Sequence, residues 1–427
     1  MAFKTKGAQK YLIVLIVAVV AIIIAAVYLI LGSSLVNYSG SHTGNYSQAG
    51  NYSVSNYSAG NSSHASSYYP TTDLASCQGT ELFNVSPAVP GTYKYLEPLG
   101  HTSSYDGNAG HVIPADHMYF YFTDPQNSSP SDIATIVAPA NVEIYNIVSK
   151  TYVNNGIVTS HDYQIWFSPC TQVYGLFDHV DRINSTLQTA ITDSKQRTCS
   201  NFTTGPGSPT YETCNYAVNL KLKAGQEIGT AGGPNVSTYA FDFGVYDLRN
   251  PPLPFVDQKL YSYSLYAVCG ISYFKNGSVK NGLYNSLETT LVEPNGLKDC
   301  GSNMWDKAGT IQGNWIIPGS QVQGVLPDNQ YGLSIAPMDT NPSENVIDWG
   351  GMISPANRIS FTPTNSGTVN RNPANVTADG NIYCYQDINS STILYIQLIN
   401  STAMKVEYHT GSCPSNPSFS NATVYVR

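Results

Sequence analysis

An uninterrupted apolar run stands near the start of the chain. Every residue of Tyr11–Leu31 is apolar or tyrosine, and about 20 such residues are needed for a helix to cross a bilayer. Three lysines precede the run, and no charged residue follows until Asp73. Under the positive-inside rule this asymmetry predicts a basic cytoplasmic tail at residues 1–10, a single transmembrane helix at residues 11–32 and an extracellular body at the cell membrane.

Two other interpretations of the apolar run remain open. One is a cleaved secretory signal, although its apolar core spans about 7–15 residues and this run is longer. The other rests on Lys6–Lys10, which resembles a type IV pilin leader but is not followed by the Glu usual early in a mature pilin. That resemblance implies a pilin-like subunit of a surface filament. All three interpretations place the body outside the cytoplasm.

Residues 33–73 have the composition of a flexible stalk. They contain repeated Asn-Tyr-Ser triplets among glycine and serine and almost no aliphatic residues, so they cannot bury enough apolar surface to offset the entropy of ordering. Each triplet is also an acceptor sequence for N-glycosylation, although such triplets arise by chance in Asn- and Ser-rich chains. The stalk asparagines predicted to carry glycans are Asn37, Asn45, Asn51, Asn56 and Asn61.

Charge and cysteine content restrict the function of the body. Of 427 residues only 11% are charged, and the formal net charge is −8; without basic runs the chain is a poor candidate for binding nucleic acid. Eight cysteines suit an exported protein with disulfides, and the absence of a Cys-x-x-Cys motif argues against a cysteine zinc site. Eight cysteines allow 105 pairings, among which local spacing favours Cys199–Cys214, Cys269–Cys300, Cys384–Cys413 and Cys77–Cys170.

The body is predicted to be mainly β. Short apolar or alternating runs are bounded by Pro, Gly and Asn, and only Asp181–Ala190 has a helical pattern, with Ile183, Leu187 and Ile191 on one face. A proline-rich link at residues 250–254 predicts a boundary between a first β domain at residues 74–254 and a second at residues 255–427. The predicted strands are Met118–Phe122, Val142–Val148, Tyr163–Phe167, Tyr239–Tyr246, Tyr261–Tyr273, Ile393–Leu398 and Met404–Tyr408.

The second domain is predicted to be an antiparallel β barrel or sandwich. Its later strands alternate in the manner of hairpins. Gly313-Asn314-Trp315 resembles the first strand of lipocalin-like barrels, whose Trp packs across the barrel floor. A core Trp anchoring a sandwich is the alternative.

Six segments of residues 96–248 resemble, in order, the M23 (lysostaphin-type) metallopeptidase domain. The clearest is Leu222–Gly232, which is similar to the family pattern V-x-x-G-Q-x-I-G-x-x-G. The resemblance implies a β domain with a zinc site. Catalytic zinc takes three protein ligands and an open position for water, whose pKa it lowers to about 7. The other segments are residues 110–120, 136–144, 163–167, 176–180 and 239–245.

The resemblance assigns site residues, and the chain keeps only some of them. The family draws its zinc ligands from an early His, an Asp four residues on and the last His of a His-x-His strand. His117 matches the first of these, Tyr121 stands in place of the Asp, and Asp242 occupies the last position. Two further histidines assist catalysis in the family: His179 matches one, and Ala240 replaces the other.

Another pairing of ligands is His111 with Asp116, although its spacing is one residue too long for the family pattern. A structural role for His117 and His179, without metal, is the alternative to a working site. Asp242 lies in a Phe-flanked strand, and a buried carboxylate needs a partner, so a metal ion, His117 or His179 would each serve. Asp178 and Asp247 are interpreted as surface or turn residues.

These patterns predict a membrane-anchored cell-surface protein that binds envelope glycan, peptide or another surface protein and is not primarily an enzyme. Many tyrosines suit such contact surfaces, because they are amphipathic and low in rotamer entropy. The alternatives are a zinc-dependent endopeptidase acting on envelope or secreted peptides, with His117, Asp242 and His179 at its centre, and the pilin-like subunit. No resident cofactor is expected, and zinc is the one metal that the pattern admits.

Overall fold

The computed structural model describes residues 74–103, 111–122, 134–154, 157–203, 210–232, 240–320, 330–354 and 357–427. They form a mainly β protein with two antiparallel sheets, as predicted, and they all fall within one compact unit. The predicted tail, transmembrane helix, stalk and stalk glycosylation sites lie outside these residues. Among the residues described, no helix is both long enough and apolar enough to cross a membrane.

The first sheet has ten strands in the order β1-β2-β10-β6-β5-β4-β8-β7, and β9 joins β6 to β3. The predicted strands at residues 118–122, 142–148 and 163–167 coincide with strands of this sheet except at Phe122, and the prediction at 239–246 agrees over the described residues 240–246. Its strands are β1 Tyr95–Glu97, β2 Met118–Tyr121, β3 Ala134–Val137, β4 Val142–Asn154, β5 Ile157–Cys170, β6 Val173–Ile183, β7 Arg197–Thr203, β8 Thr210–Leu222, β9 Glu227–Ala231 and β10 Ala240–Asp247.

One face of this sheet forms the first core. Side chains alternate along a strand, so Phe241 and Phe243 of β10 point to the same side as Phe120 of β2, and all three are buried. Phe120 meets Phe241 edge-on with ring centroids 5.8 Å apart, a favoured aromatic geometry. The opposite face of the same strands is polar and carries Tyr119 and Asp242.

The second sheet has eight strands in the order β14-β13-β12-β11-β18-β17-β16-β15. The pairing of β11 with β18 through Ile316 and Val426 joins the two halves of the sheet. Its edge strands β14 and β15 also approach each other, and the Ile388 amide just after β15 donates to the Ser360 carbonyl of β14, so of the two predicted forms the sheet is closer to a barrel. Its strands are β11 Gly313–Ile316, β12 Gly332–Pro337, β13 Asn345–Trp349, β14 Asn357–Phe361, β15 Tyr383–Gln386, β16 Thr392–Asn400, β17 Ala403–Thr410 and β18 Thr423–Val426.

The interior of the second sheet is filled by alternate side chains, including fully buried Trp315 and Trp349. The guanidinium of Arg427 lies 4.1 Å from the Trp315 ring centroid and donates hydrogen bonds to three carbonyls of residues 307–312. The Trp of the Gly-x-Trp segment is therefore a core anchor, covered by the cationic residue that directly follows the last strand.

The one predicted helix exists but starts later. Residues 181–183 continue β6, and helix α1 covers Ser185–Asp193. Asn184 caps it: its side-chain oxygen accepts a hydrogen bond from the Leu187 amide at 2.9 Å, which satisfies one of the free N–H groups of the first turn. Leu187 is the buried residue of the helix.

The predicted strand Tyr261–Tyr273 is wrong. The segment forms turns, with the Ser264 amide bonded to the Tyr261 carbonyl, and ends in a 3-10 helix at Gly270–Tyr273. Its apolar residues are buried in three separate clusters: Tyr261 in one, Ala267 in a second, and Ile271 in the first core. Helix α2 (Ser278–Asn285) follows and packs in the first core through Leu283. The predicted boundary at 254 stays a prediction.

All four predicted disulfides are confirmed: Cys77–Cys170, Cys199–Cys214, Cys269–Cys300 and Cys384–Cys413. The second sheet also contacts the chain between β1 and β2 of the first sheet. The Ser334 hydroxyl of β12 donates to the Val112 carbonyl at 2.5 Å, and the Arg358 guanidinium of β14 donates to the Thr102 carbonyl at 2.6 Å. The second sheet thus holds the segment that leads into the polar face of the first.

Candidate functional site

A row of polar residues crosses four strands of the first sheet on its polar face. Glu97 of β1 lies opposite Tyr119 of β2, Tyr119 lies opposite Asp242 of β10, and Asp242 lies opposite Asp178 of β6. Asp242 is only 2% exposed. Two carboxylates directly opposite each other repel, so this row requires cations or protons around Asp242 and Asp178.

His117 supplies one partner of Asp242. It stands one residue before β2, and its Nε2 lies 3.2 Å from Asp242 Oδ2 and 3.1 Å from the Tyr119 hydroxyl. Its other ring nitrogen, Nδ1, lies 2.9 Å from Asp116 Oδ1. Asp116 therefore orients His117.

His179 supplies the second partner through a β-bulge. Tyr163 pairs with Val180 and Ile165 with Phe177, so two residues of β6 stand opposite one of β5. His179 has a φ of 58°, a left-handed conformation that is uncommon outside glycine. The bulge turns both Asp178 and His179 to the polar face, as bulges beside functional sites often do.

The contacts of His179 mirror those of His117. Its Nδ1 lies 2.9 Å from Asp162 Oδ2, and its Nε2 lies 3.5 Å from the same Asp242 oxygen that His117 contacts. Each imidazole thus has one nitrogen held by its own carboxylate and the other directed at Asp242. In metal sites this is the arrangement that orients a ligating histidine.

Lys150 of β4 neutralises the remaining carboxylate. Its ammonium lies 2.8 Å from both oxygens of Asp178 and 3.9 Å from Asp162. The Gln164 amide also donates to Asp178 at 2.8 Å. Asp178 is buried, so the prediction that it is a surface or turn residue is wrong. Asp247 is also buried and pairs with Arg249 at 2.7 Å.

The charges around Asp242 shift the pKa values of both histidines upward. Burial opposes the charged form of His117, but the negative charges of Asp242 and Asp116 outweigh it and raise its pKa to about 10. Burial likewise opposes charge on His179, and Asp242 and Asp162 raise its pKa to about 9. The pKa of Asp242 is lowered because the two histidines outweigh its burial.

His111 behaves differently from the other two histidines. Its ring packs 5.4 Å from the His117 ring, centroid to centroid. Burial and the positive charge of His117 lower its pKa to about 3, so it stays neutral. Both residues of the alternative ligand pairing therefore adjoin His117: His111 packs on its ring, and Asp116 is hydrogen-bonded to its Nδ1.

The structure thus brings His117, His179 and Asp242 together, and it adds residues that the sequence did not indicate. Asp162 and Lys150 come from strands whose contact depends on sheet register. The sequence did carry a signal for Tyr119, because His117, Tyr119 and Tyr121 are spaced two residues apart, the spacing of side chains on one face of a strand. Tyr121, where the M23 pattern has Asp, does not contact Asp242 through any hydrogen bond described.

The donors around Asp242 fit zinc in kind and only partly in position. One aspartate and two histidines are a ligand set of catalytic zinc type, and Asp242 Oδ1 is buried without a hydrogen-bond partner. The contacts of 3.2 and 3.5 Å are close to the roughly 3.3 Å between neighbouring ligands of a tetrahedral zinc. Among the described residues, the sets of possible metal ligands whose donor atoms all lie within 4.8 Å of one another do not include His117, His179 and Asp242 together. A shared ion therefore requires the two imidazoles to approach each other.

Two of those other sets already have a partner that takes the place of an ion. Cys199 and Cys214, grouped with Glu212, are joined in a disulfide. Asp162, Asp178 and His179 enclose the Lys150 ammonium. The third set contains Glu97, His101 and Asp339.

No protein-family model, curated protein or solved structure matches the chain. The M23 resemblance therefore stays a hypothesis that rests on the six sequence segments.

Proposed function

We propose that this is an exported, membrane-anchored surface protein whose first sheet is a degenerate M23-like domain that binds envelope peptide or glycan at a zinc centre. The observation that carries the proposal is the convergence of His117 Nε2 and His179 Nε2 on one oxygen of Asp242. A structural ion pair needs only one histidine. Two imidazoles, each oriented by its own buried carboxylate, are the arrangement that a shared cation requires.

Charge balance is compatible with either protons or a metal ion. Asp242 faces two histidines that are both cationic at neutral pH when no metal is present. One divalent ion carries the same charge as the two protons that it would displace, so the buried carboxylates are compensated in both states. Zinc would therefore bind with release of protons, and its affinity would rise with pH.

Loss of the other family residues supports binding over cutting. Ala240, the first residue of β10, has no side-chain group that could assist a water molecule. Tyr121 stands where the family has its Asp ligand. Zinc held in this centre would act as a Lewis acid that polarises an oxygen of the ligand. His179 would hold its proton toward Asp162, and the Tyr119 hydroxyl, 3.1 Å from His117 Nε2, would donate to the bound ligand.

A tyrosine row next to the centre suits an extended ligand. Tyr95 and Tyr121 stack with ring centroids 4.8 Å apart, and Tyr119 lies 6.0 Å from Tyr121. Tyr95 and Tyr121 are half-buried on β1 and β2, and β1 is an edge strand. Aromatic rings at a sheet edge offer flat contacts for sugar or peptide. Four disulfides support export to an oxidising compartment.

Zinc loading of the full-length chain in detergent tests the proposal. The stripped protein is dialysed against zinc, and bound metal is measured by mass spectrometry. We expect His117→Ala and Asp242→Asn each to remove one equivalent per chain, whereas His161→Ala, an exposed control on β5, retains it. Unchanged zinc in both site variants would contradict the zinc centre.

Ligand binding and cleavage are tested with two probes. Because acetohydroxamate binds zinc at an open coordination position, the zinc-loaded wild type should bind one more equivalent of it than Asp242→Asn. A mixed peptide library should be left intact by the wild type. Zinc-dependent cleavage that Asp242→Asn abolishes would instead make the protein an endopeptidase.

A further inference from the structure

A second cluster of donors lies where the two sheets meet. His101 Nδ1 lies 2.6 Å from Glu97 Oε1 and 3.6 Å from Asp339 Oδ2, and the three donor atoms all lie within 4.8 Å of one another. Glu97 ends β1 of the first sheet, and His101 follows four residues later. Asp339 comes from the second sheet, two residues after β12 ends.

The backbone around this cluster is held rigidly. Gly100 has a φ of 93°, and a side chain there would collide with the Ser302 carbonyl, so this turn requires glycine. The Gly100 amide donates to the Ala115 carbonyl, and the Ala115 amide donates to the His101 carbonyl, both at 2.9 Å. His101 is therefore fixed before any ligand binds, which reduces the entropic cost of binding.

One oxygen in the cluster is left without a hydrogen bond. The Asp339 side chain is 5% exposed, and its Oδ2 has no hydrogen-bond partner among the described residues. This oxygen faces His101 Nδ1 in an ion pair at 3.6 Å, which is too long for a hydrogen bond. A buried carboxylate oxygen without a hydrogen bond is costly, so the gap in its hydrogen bonding lies inside the cluster.

The charges of the neighbourhood also leave room for a cation. Glu97, Asp339 and Asp348 are three buried carboxylates, opposed by Arg358, whose Nε lies 3.9 Å from Asp348, and by His101 when protonated. With His101 protonated, these groups carry a net charge of −1. A divalent ion in place of the His101 proton would bring that net charge to zero.

We infer that Glu97, His101 and Asp339 form a zinc-class divalent metal site that ties the first sheet to the second. One imidazole nitrogen and two carboxylate oxygens are three ligands of the kind that zinc accepts. The site is separate from the Asp242 centre: the Tyr119 ring stands between them, 5.0 Å from both the His101 and the His117 rings by centroid. The inference does not depend on the proposed function.

Zinc stoichiometry of matched variants tests the second site. In the full-length chain in detergent, we expect Asp339→Asn and His101→Gln each to bind one equivalent of zinc fewer than the wild type. Glu344→Gln, which changes a carboxylate on the same β12–β13 connection, should bind as much zinc as the wild type. Saturating zinc should raise the melting midpoint of the wild type more than that of Asp339→Asn, because a ligand of the folded state stabilises it.

The zinc content of the variants distinguishes a failure of the Asp242 centre from a failure of the second site. If only the second site binds zinc, the wild type holds one equivalent, Asp242→Asn keeps it and Asp339→Asn loses it. If only the Asp242 centre binds zinc, Asp339→Asn and His101→Gln hold as much zinc as the wild type, and the second site is overturned. Circular dichroism of each variant shows that a lost equivalent does not reflect unfolding.

Discussion

At the scale of single residues, the backbone of His179 is the most informative point of the centre. A left-handed conformation is disfavoured for residues with a Cβ atom, and it persists here because the β6 bulge and two side-chain contacts hold it. Strain of this kind tends to collect at functional sites. The conformation allows the side chains of the neighbouring residues 178 and 179 to lie on the same face of the sheet, although successive side chains of a regular strand point to opposite faces.

Substitutions at His179 separate this strain from the loss of the imidazole. His179→Asn and His179→Val both remove the contacts to Asp162 and Asp242, but Asn tolerates the left-handed region and a β-branched side chain does not. We expect His179→Val to be less stable than His179→Asn by about 1–2 kcal/mol. Urea unfolding monitored by tryptophan fluorescence measures the difference, and equal midpoints would show that the backbone is unstrained.

The raised pKa values of His117 and His179 predict how stability depends on pH in the metal-free protein. A histidine whose pKa is about 9 or 10 when folded and 6.5 otherwise binds its proton more tightly in the folded state. Its contribution is fully present below about pH 6.5 and is lost as the pH rises through 9 and 10.

Melting midpoints between pH 6 and 10.5 in the presence of chelator test this prediction. The wild type should lose stability toward high pH, and His117→Gln should show a smaller decline because one of the linked protons is gone. The exposed-site variant His161→Gln should follow the wild type. A wild-type curve that is flat over this range would contradict the charged state assigned to the two histidines.

At the scale of elements, helix α1 depends on a single cap residue with two roles. Asn184 accepts from the Leu187 amide, and its side-chain nitrogen donates to the Glu227 carbonyl at the start of β9. The cap therefore joins the helix to the sheet as well as starting it. Because β9 also pairs with β6, both ends of the β6–α1 turn are held by one strand.

Two substitutions at Asn184 separate these roles. Asn184→Ala removes both hydrogen bonds and should cost about 1 kcal/mol or somewhat more. Asn184→Asp keeps the accepting oxygen and loses the donor, so it should recover most of the capping stability. Thermal unfolding of the two variants beside the wild type measures this order. Equal loss in both variants would assign the effect to the β9 contact alone.

The elements also show how far the sequence predicts this structure. Period-2 alternation around Phe120 and Phe241 predicts their strands because one face is core and the other polar. The same criterion fails at Tyr261–Tyr273, where the apolar residues of a series of turns are buried in separate clusters. His117 and Asp242 are predicted from strand position, whereas Glu97, His101 and Asp339 meet only through the packing of two sheets, which no local pattern encodes.

At the scale of the whole molecule, the disulfides close loops of very different length. Cys77–Cys170 spans 93 residues and ties the segment before β1 to the end of β5, whereas Cys199–Cys214 spans 15 and links the neighbouring strands β7 and β8. A crosslink stabilises chiefly by restricting the unfolded chain, and the restriction grows with loop length. The long crosslink therefore carries more of the stability of the first sheet than the short one.

Paired serine substitutions test this difference. In the chain-entropy model, Cys77→Ser with Cys170→Ser should cost about 4.7 kcal/mol, and Cys199→Ser with Cys214→Ser about 3 kcal/mol. Replacing both cysteines of a pair avoids a free thiol that could exchange with the other disulfides. Denaturant unfolding of the two variants beside the wild type gives the two losses. A larger loss for the 15-residue loop would mean that strand contacts around Cys199, rather than chain entropy, determine the effect.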